Sequence, residues 1–233
     1  YVSSIRPNIL KQHFKKFPEL EQDAIFYHDC DIVFTKPIEW YKFLYDDKWY
    51  GSDTRFYIGY DYIMSKGEQV LDAMCDIVGI DKEIIKENER NSIGAQYLMK
   101  GIGWKFWDNV ERNCERLYKE ISELSANIKA DNPVYHELQI WCADMWAVLW
   151  EGWKMDKKTI CHPDLDFAWA TSRIESWDKL NIYHNAGAID AISGLFFKSN
   201  YINKLPYGET ININKEFASS KYWELIQQTK TVL

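Results

Sequence analysis

Short apolar runs alternate with longer amphipathic segments along this chain, and that alternation constrains the fold more than any other feature. The runs Ala24–Tyr27 and Ile32–Phe34 have the length and composition of buried strands. Apolar residues recur at helical spacing over 69–78, directly before Gly79, and predict a helix that ends there. We therefore expect a mixed α/β protein in which helices flank a sheet.

The remaining elements are predicted from the same spacing rules. Apolar residues at 107, 110, 114, 117 and 121 indicate a long amphipathic helix that begins near 104. Asn132 and Pro133 have the residue types of a helix cap and a first helical position, so they predict the start of another helix. These remaining elements comprise helices over 8–17, from about 104 through 121 and over 132–153, and strands over 55–64 and 180–183.

Length and charge narrow the class of protein. The chain has 233 residues, and a single domain of this length can bury a full hydrophobic core. We therefore predict one domain over 1–233. Lys and Arg total 28 against 35 Asp and Glu, a formal net charge of −7, which argues against nucleic-acid binding. No apolar run approaches the roughly 18 residues that a bilayer span needs, so we expect no transmembrane segment.

The N-terminal residues and the cysteines indicate whether the sequence is part of a longer protein and in which cellular compartment it lies. The sequence begins with Tyr1, without an initiator Met or a signal pattern, and we interpret it as the interior of a longer protein. The five cysteines are an odd number without CxxC spacing, which predicts free thiols and not a disulfide framework or a zinc knuckle. A cytoplasmic location is expected on this basis.

Acidic residues follow the first predicted strand at the point where it ends. Asp29 and Asp31, separated by Cys30, can direct their carboxylates at one hard cation, and that cation can neutralise a bound diphosphate. A second candidate ligand is His184, after the last predicted strand. An imidazole that joins two carboxylates favours Mn²⁺, with Mg²⁺ next.

A further indication comes from six short segments and their order along the chain. The segments are Arg6-Pro7-x-x-Leu10, Phe26-Tyr27-His28-Asp29-Cys30-Asp31, Ser92-Ile93-Gly94-Ala95-Gln96-Tyr97, Ala143-Asp144-Met145-Trp146-Ala147, His184-Asn185-Ala186-Gly187 and Phe197-Lys198. Together they resemble the metal-dependent GT-A glycosyltransferases. Their order is most similar to that of the hydroxyproline arabinosyltransferase and peptidyl-serine galactosyltransferase group, and the resemblance covers about residues 5–200.

The resemblance implies a GT-A-like fold that lacks its N-terminal strands, and a sugar transfer from a nucleotide-sugar donor to a hydroxyl of a glycan, protein or small molecule. Asp29, Asp31 and His184 would hold Mn²⁺ or Mg²⁺ on the donor diphosphate. Lys198 would meet the departing phosphate, and Asp144 would be the catalytic carboxylate or orient a sugar hydroxyl. The implied substrate-binding residues are Asp29, Asp53, Arg55, Ser92, Gly94, Gln96, Trp146, Asn185, Gly187 and Lys198.

Several of these residues have a plainer interpretation. Asp144 could be a solvated acid on a helix face. Residues 92–96 could form an ordinary turn, and Asp53 and Arg55 could form a local ion pair in another turn.

Two rival functions stay open. Asp29-Cys30-Asp31-Ile32-Val33 also fits the nucleophile strand of haloacid-dehalogenase-type phosphohydrolases, although the distal acidic pair that this family needs is missing after Gly67. Alternatively, the 11 Trp, 15 Tyr and 11 Phe residues could serve a carbohydrate-binding module without turnover.

Overall fold

A computed structural model describes residues 1–189 and 194–229, and these residues form two compact units. The first unit comprises Tyr1–Tyr27 and Tyr41–His162, and the second comprises His28–Trp40 and Pro163–Leu233. Each unit contains a mixed sheet, so the predicted α/β class is confirmed at this level. The prediction of one glycosyltransferase-like domain over 1–233 stays a prediction.

Each unit is organised around its own sheet. In the first unit the order is β1-β4-β3-β5, antiparallel except for the parallel pair β3·β5. In the second unit the order is β2-β7-β6, with β2 antiparallel and β6 parallel to β7. The strands are β1 Ala24–Tyr27, β2 Ile32–Phe34, β3 Trp49–Asp53, β4 Ile93–Lys100, β5 Thr159–Cys161, β6 Phe167–Trp169 and β7 Ile182–His184.

The first unit contains one long helix and several shorter ones. They are α1 Ile5–Lys16, α2 Arg55–Ile58, α3 Tyr60–Met64, α4 Glu68–Val78, α5 Lys82–Glu87, α6 Trp104–Asp131 and α7 Ala143–Lys154. The predicted apolar stripe of α6, from Trp107 to Ile121, is fully buried against α1, α4 and α7. The predicted end of α4 is confirmed, since Gly79 follows it with a left-handed φ of 73°.

The second unit has a smaller core centred on β7. All three residues of β7 are buried, and Tyr183 packs with Ala168, Ala170 and Ala218. The helices of this unit are α8 Glu175–Lys179 and α9 Ser219–Thr229. A buried central strand fixes the position of the residue at its end, which is His184.

The predicted strand over 55–64 is wrong, because these residues form α2 and α3. The burial does not alternate: Tyr57 and Ile58 are both buried, whereas Phe56 is 67% exposed. The carbonyl oxygen of Thr54 accepts hydrogen bonds from the N–H groups of Tyr57 and Ile58, which closes the first helical turn. The strand at this place in the chain is instead β3, just before Thr54.

The predicted helix start at Asn132 is also wrong. Asn132 follows α6 and donates its N–H to the carbonyl oxygen of Ile128 at 2.8 Å, so it ends one helix and does not begin the next. The next helix, α7, begins at Ala143 and ends at Lys154, close to the predicted end. Within 1–189 and 194–229, no helix is long and apolar enough to cross a membrane.

Candidate metal centre and the other predicted site residues

Strand register brings the predicted metal ligands of the second unit together. In the antiparallel pair β2·β7, Ile32 lies opposite His184. The N–H of Asn185 donates to the carbonyl oxygen of Asp31 at 3.0 Å, which extends this pairing by one residue. Residues more than 150 positions apart in the sequence therefore meet at one end of a sheet.

Side chains of Asp29, Asp31 and His184 form a compact cluster. His184 Nε2 lies 3.2 Å from Asp29 Oδ2 and 3.4 Å from Asp31 Oδ1. One ligand atom of each residue lies within 4.8 Å of those of the other two. The side chains are 32%, 13% and 7% exposed, respectively. The ring of Phe167 packs against the His184 imidazole at 5.2 Å between centroids, which limits its rotation.

Charge compensation changes the acidity of the cluster. Burial alone would raise the pKa of Asp31, but hydrogen bonds and charges from His184 and Lys198 outweigh it and lower that pKa to about 2. Burial lowers the pKa of His184, whereas Asp29 and Asp31 raise it, and the net direction is upward. Lys198 Nζ lies 2.5 Å from Asp31 Oδ2. The cluster therefore contains two carboxylates matched by two basic groups.

The donor set fits a divalent cation. Ligand atoms about 2.1–2.2 Å from one ion and at right angles to each other lie about 3 Å apart, close to the two distances measured from His184 Nε2. Two carboxylates with one imidazole suit Mn²⁺ and Mg²⁺ better than soft metals. Lys198 contacts Oδ2 of Asp31, whereas Oδ1 faces the imidazole, so the cation and the ammonium can use different oxygens.

Asn185 and Gly187 flank this cluster. Asn185 is 2% exposed, and its Oδ1 accepts a hydrogen bond of 2.8 Å from the Tyr183 hydroxyl. Its Nδ2, like Nδ1 of His184, is buried and has no hydrogen-bond partner among the residues that the structure describes. Gly187 has a left-handed φ of 78°, and a Cβ there would lie 3.3 Å from the Trp169 ring. Tyr183 orients the Asn185 amide, a role that sequence reasoning missed.

In the first unit, Asp53 and Arg55 bind each other. Arg55 Nε contacts both Asp53 carboxylate oxygens at 2.9 and 3.0 Å, and Nη2 contacts Oδ2 at 2.6 Å. Both residues line a cleft of about 600 Å³ together with Tyr62 and Glu89. The local ion pair that we considered for these residues is thus present.

Ser92, Gly94, Gln96 and Trp146 lie in the interior of the first unit. The turn interpretation of residues 92–96 is wrong, because β4 begins at Ile93 and is flanked by β1 and β3. A Cβ at Gly94 would lie 2.6 Å from Met145 Cε and 2.5 Å from Thr54 Oγ1, so packing accounts for this glycine. The Trp146 ring is fully buried and donates its N–H to the carbonyl oxygen of Ile58 at 2.9 Å.

Asp144 is not a solvated acid, because it is only 4% exposed. Its Oδ1 accepts a hydrogen bond of 2.8 Å from the Tyr1 hydroxyl, and its Oδ2 is paired with the Arg6 guanidinium. Arg6 also lies over the Tyr27 ring, 5.4 Å from its centroid. Sequence reasoning missed this pairing, because nothing local connects charges 138 residues apart.

Fold and cluster together define the class: a mixed α/β protein with an Asp–Asp–His group that could hold a divalent cation. Comparison with protein-family models, with curated proteins and with solved structures finds no match for this chain.

Proposed function

We propose that this protein is a glycosyltransferase that transfers a sugar from a nucleotide-sugar donor to a hydroxyl group, with Mn²⁺ or Mg²⁺ at Asp29, Asp31 and His184. The convergence of these three side chains carries the proposal, since each was selected by its sequence motif and they share one compact cluster. The ordered resemblance to GT-A glycosyltransferases supports it independently of the distances.

Chemistry assigns a role to each group of the cluster. The cation would neutralise the donor diphosphate, which an acidic protein would otherwise repel. Lys198 would contact the departing phosphate, since its side chain is 57% exposed and already lies at the centre. Asp144 and the remaining substrate-binding residues of the motif set stay predictions, and the proposal does not depend on them.

The direct test is metal-dependent nucleotide release. The protein is incubated with uridine- and guanosine-diphosphate sugars, with and without Mn²⁺, and free nucleotide is measured. We expect release that requires Mn²⁺ and is lost in Asp31→Asn. Free Mn²⁺, followed by electron paramagnetic resonance, should show binding to the wild type and none to this variant.

Asp178→Asn is the matched control, because Asp178 is an exposed acid of α8 in the same unit. This variant should keep both Mn²⁺ binding and nucleotide release. Nucleotide release that persists in Asp31→Asn, or is independent of Mn²⁺, would contradict the proposal. Hydrolysis of 4-nitrophenyl phosphate in place of nucleotide release would favour the phosphohydrolase, and sugar binding without turnover would favour the carbohydrate-binding module.

A further inference from the structure

A second feature of the same unit is a cleft of about 720 Å³. Most of its lining is aromatic or aliphatic, with β2 residues on one side and α9 residues on another. The residues that matter here are Phe196, Lys198, Tyr207, Tyr222 and Ile226. Lys198 is shared with the candidate metal centre, because its ammonium contacts Asp31. The cleft and the candidate metal centre thus share one basic side chain.

The walls of the cleft are held in place by packing and hydrogen bonds. Tyr222 stacks on the buried Tyr183 at 5.2 Å between ring centroids, and Phe196 stacks on Trp223 at 5.5 Å. Gln227 Nε2 donates to the carbonyl oxygen of Pro206 at 3.1 Å, which ties the loop before Tyr207 to α9. A site with fixed walls loses little entropy when a ligand binds.

We propose that this cleft binds the flat aromatic body of a small hydroxyl-bearing molecule, which serves as the sugar acceptor. This inference rests on the proposed function. Ligand sites for small molecules have volumes of about 300–1,000 Å³ and mostly apolar walls with few polar groups, as here. A free sugar fits less well, because aliphatic residues such as Ile32, Leu225 and Ile226 would leave its hydroxyls without partners.

The position of Lys198 explains why this ligand would be the acceptor. In the proposed reaction the acceptor oxygen bonds to the anomeric carbon, the bond from that carbon to the diphosphate breaks, and its electron pair goes to the phosphate. The hydroxyl proton passes to solvent. The acceptor oxygen must therefore come within bonding distance of the anomeric carbon that carries the diphosphate, and Lys198, which would meet that diphosphate, also lines the cleft.

Binding is tested with 4-methylumbelliferone, a flat two-ring phenol, by fluorescence titration of the full chain without metal. Ile226→Trp fills the cleft and should weaken binding by at least about tenfold, since the apolar contact area is lost. Glu224→Trp adds the same bulk to an exposed position of α9 outside the cleft and should bind like the wild type. Circular dichroism checks that Ile226→Trp and Glu224→Trp are folded. If Ile226→Trp does not fold, Tyr207→Ala replaces it as the variant of the cleft.

The outcomes separate this inference from the proposed function. Unchanged binding in a folded Ile226→Trp variant overturns the inference, and so does unchanged binding in Tyr207→Ala where Ile226→Trp does not fold. No binding by the wild type overturns it as well. Binding that is retained in Asp31→Asn, while nucleotide release is lost, supports both proposals. If no donor releases nucleotide but the phenol binds in the cleft, the proposed function fails and the binding site stands.

Discussion

The buried pair of Arg6 and Asp144 yields a sharp prediction about stability. Its two partners differ in exposure: the Asp144 side chain is 5% exposed, whereas that of Arg6 is 36% exposed. Removal of Arg6 leaves the buried Asp144 carboxylate without a charged partner in the protein interior. Removal of the Asp144 charge leaves the Arg6 guanidinium, which water can solvate. The two substitutions should therefore have unequal costs although they break the same ion pair.

Arg6→Met keeps an unbranched side chain but removes the guanidinium, which lies over the Tyr27 ring and is paired with the Asp144 carboxylate. Removal of one partner of a buried pair costs about 3–5 kcal/mol, and we expect about 3 kcal/mol here because Arg6 is partly exposed. Asp144→Asn keeps an acceptor for the Tyr1 hydroxyl and should cost only about 1 kcal/mol. The double variant should be more stable than Arg6→Met alone, because no buried charge remains.

The assay is urea unfolding of the four proteins of the double-mutant cycle at one pH and salt concentration. Lys86→Met is the control for an exposed pair, since Lys86 and Glu83 are both more than half exposed and such pairs contribute about 0–1 kcal/mol. Equal costs for Arg6→Met and Asp144→Asn, or a double variant less stable than Arg6→Met, would refute the reasoning. A large cost at Asp144→Asn alone would mean that the carboxylate makes the essential contacts.

Two further predictions concern titrating groups. A cation that binds His184 must displace the proton on its imidazole, whose pKa is raised overall although burial opposes the rise. The affinity for Mn²⁺ should therefore increase with pH from about 6 to 8. Calorimetric titration at several pH values measures this affinity, and an affinity that does not change with pH would exclude the imidazole as a ligand. The second prediction concerns the thiols, which are measured with Ellman's reagent at about pH 8. The exposed Cys30 should react at once. Cys75 and Cys114 should react only on unfolding, because burial raises their pKa values to about 11 and about 12. Rapid reaction of these two thiols in the folded chain would contradict their burial.

Strong periodicity explains what the sequence could predict of the fold. The apolar stripe from Trp107 to Ile121 repeats at helical spacing over four turns. A strand does not place apolar residues at this spacing on one face, so the pattern predicts a helix. The run Ala24–Tyr27 is a strand as predicted, because a short apolar run bounded by polar residues suits a sheet. The predicted burial is wrong, since this strand lies at the edge of the sheet, with Ala24 exposed and the other three residues only partly buried. The cluster of Asp29, Asp31 and His184 could be predicted from motif types, and the strand pairing accounts for its assembly.

What the sequence could not predict depends on partners that are distant along the chain. The alternation at Phe56, Ile58, Tyr60 and Tyr62 suggested a strand, but the segment forms two short helices. The Thr54 hydroxyl donates to the carbonyl oxygen of Ser92, and the N–H of Tyr60 donates to the Glu89 carboxylate, so residues outside the segment hold it in this structure. Asp144 looked solvated because its helix neighbours include other acids, and its burial requires Arg6 from α1. In each case the local pattern is compatible with two structures, and a contact outside the local window decides between them.

The charge balance of the candidate metal centre connects the binding of a cation with the binding of a diphosphate. Without a cation, the carboxylates of Asp29 and Asp31 face the ammonium of Lys198 and the imidazole of His184, whose pKa is raised although burial opposes the rise. When the imidazole carries its proton, the four groups together are close to neutral. A divalent cation that replaces the proton adds one net positive charge at the centre. That surplus attracts an anion, and Lys198, exposed over more than half of its side chain, can contact the same anion. Metal and diphosphate should therefore each strengthen the binding of the other, as we expect if the proposed transfer from a nucleotide-sugar depends on the metal.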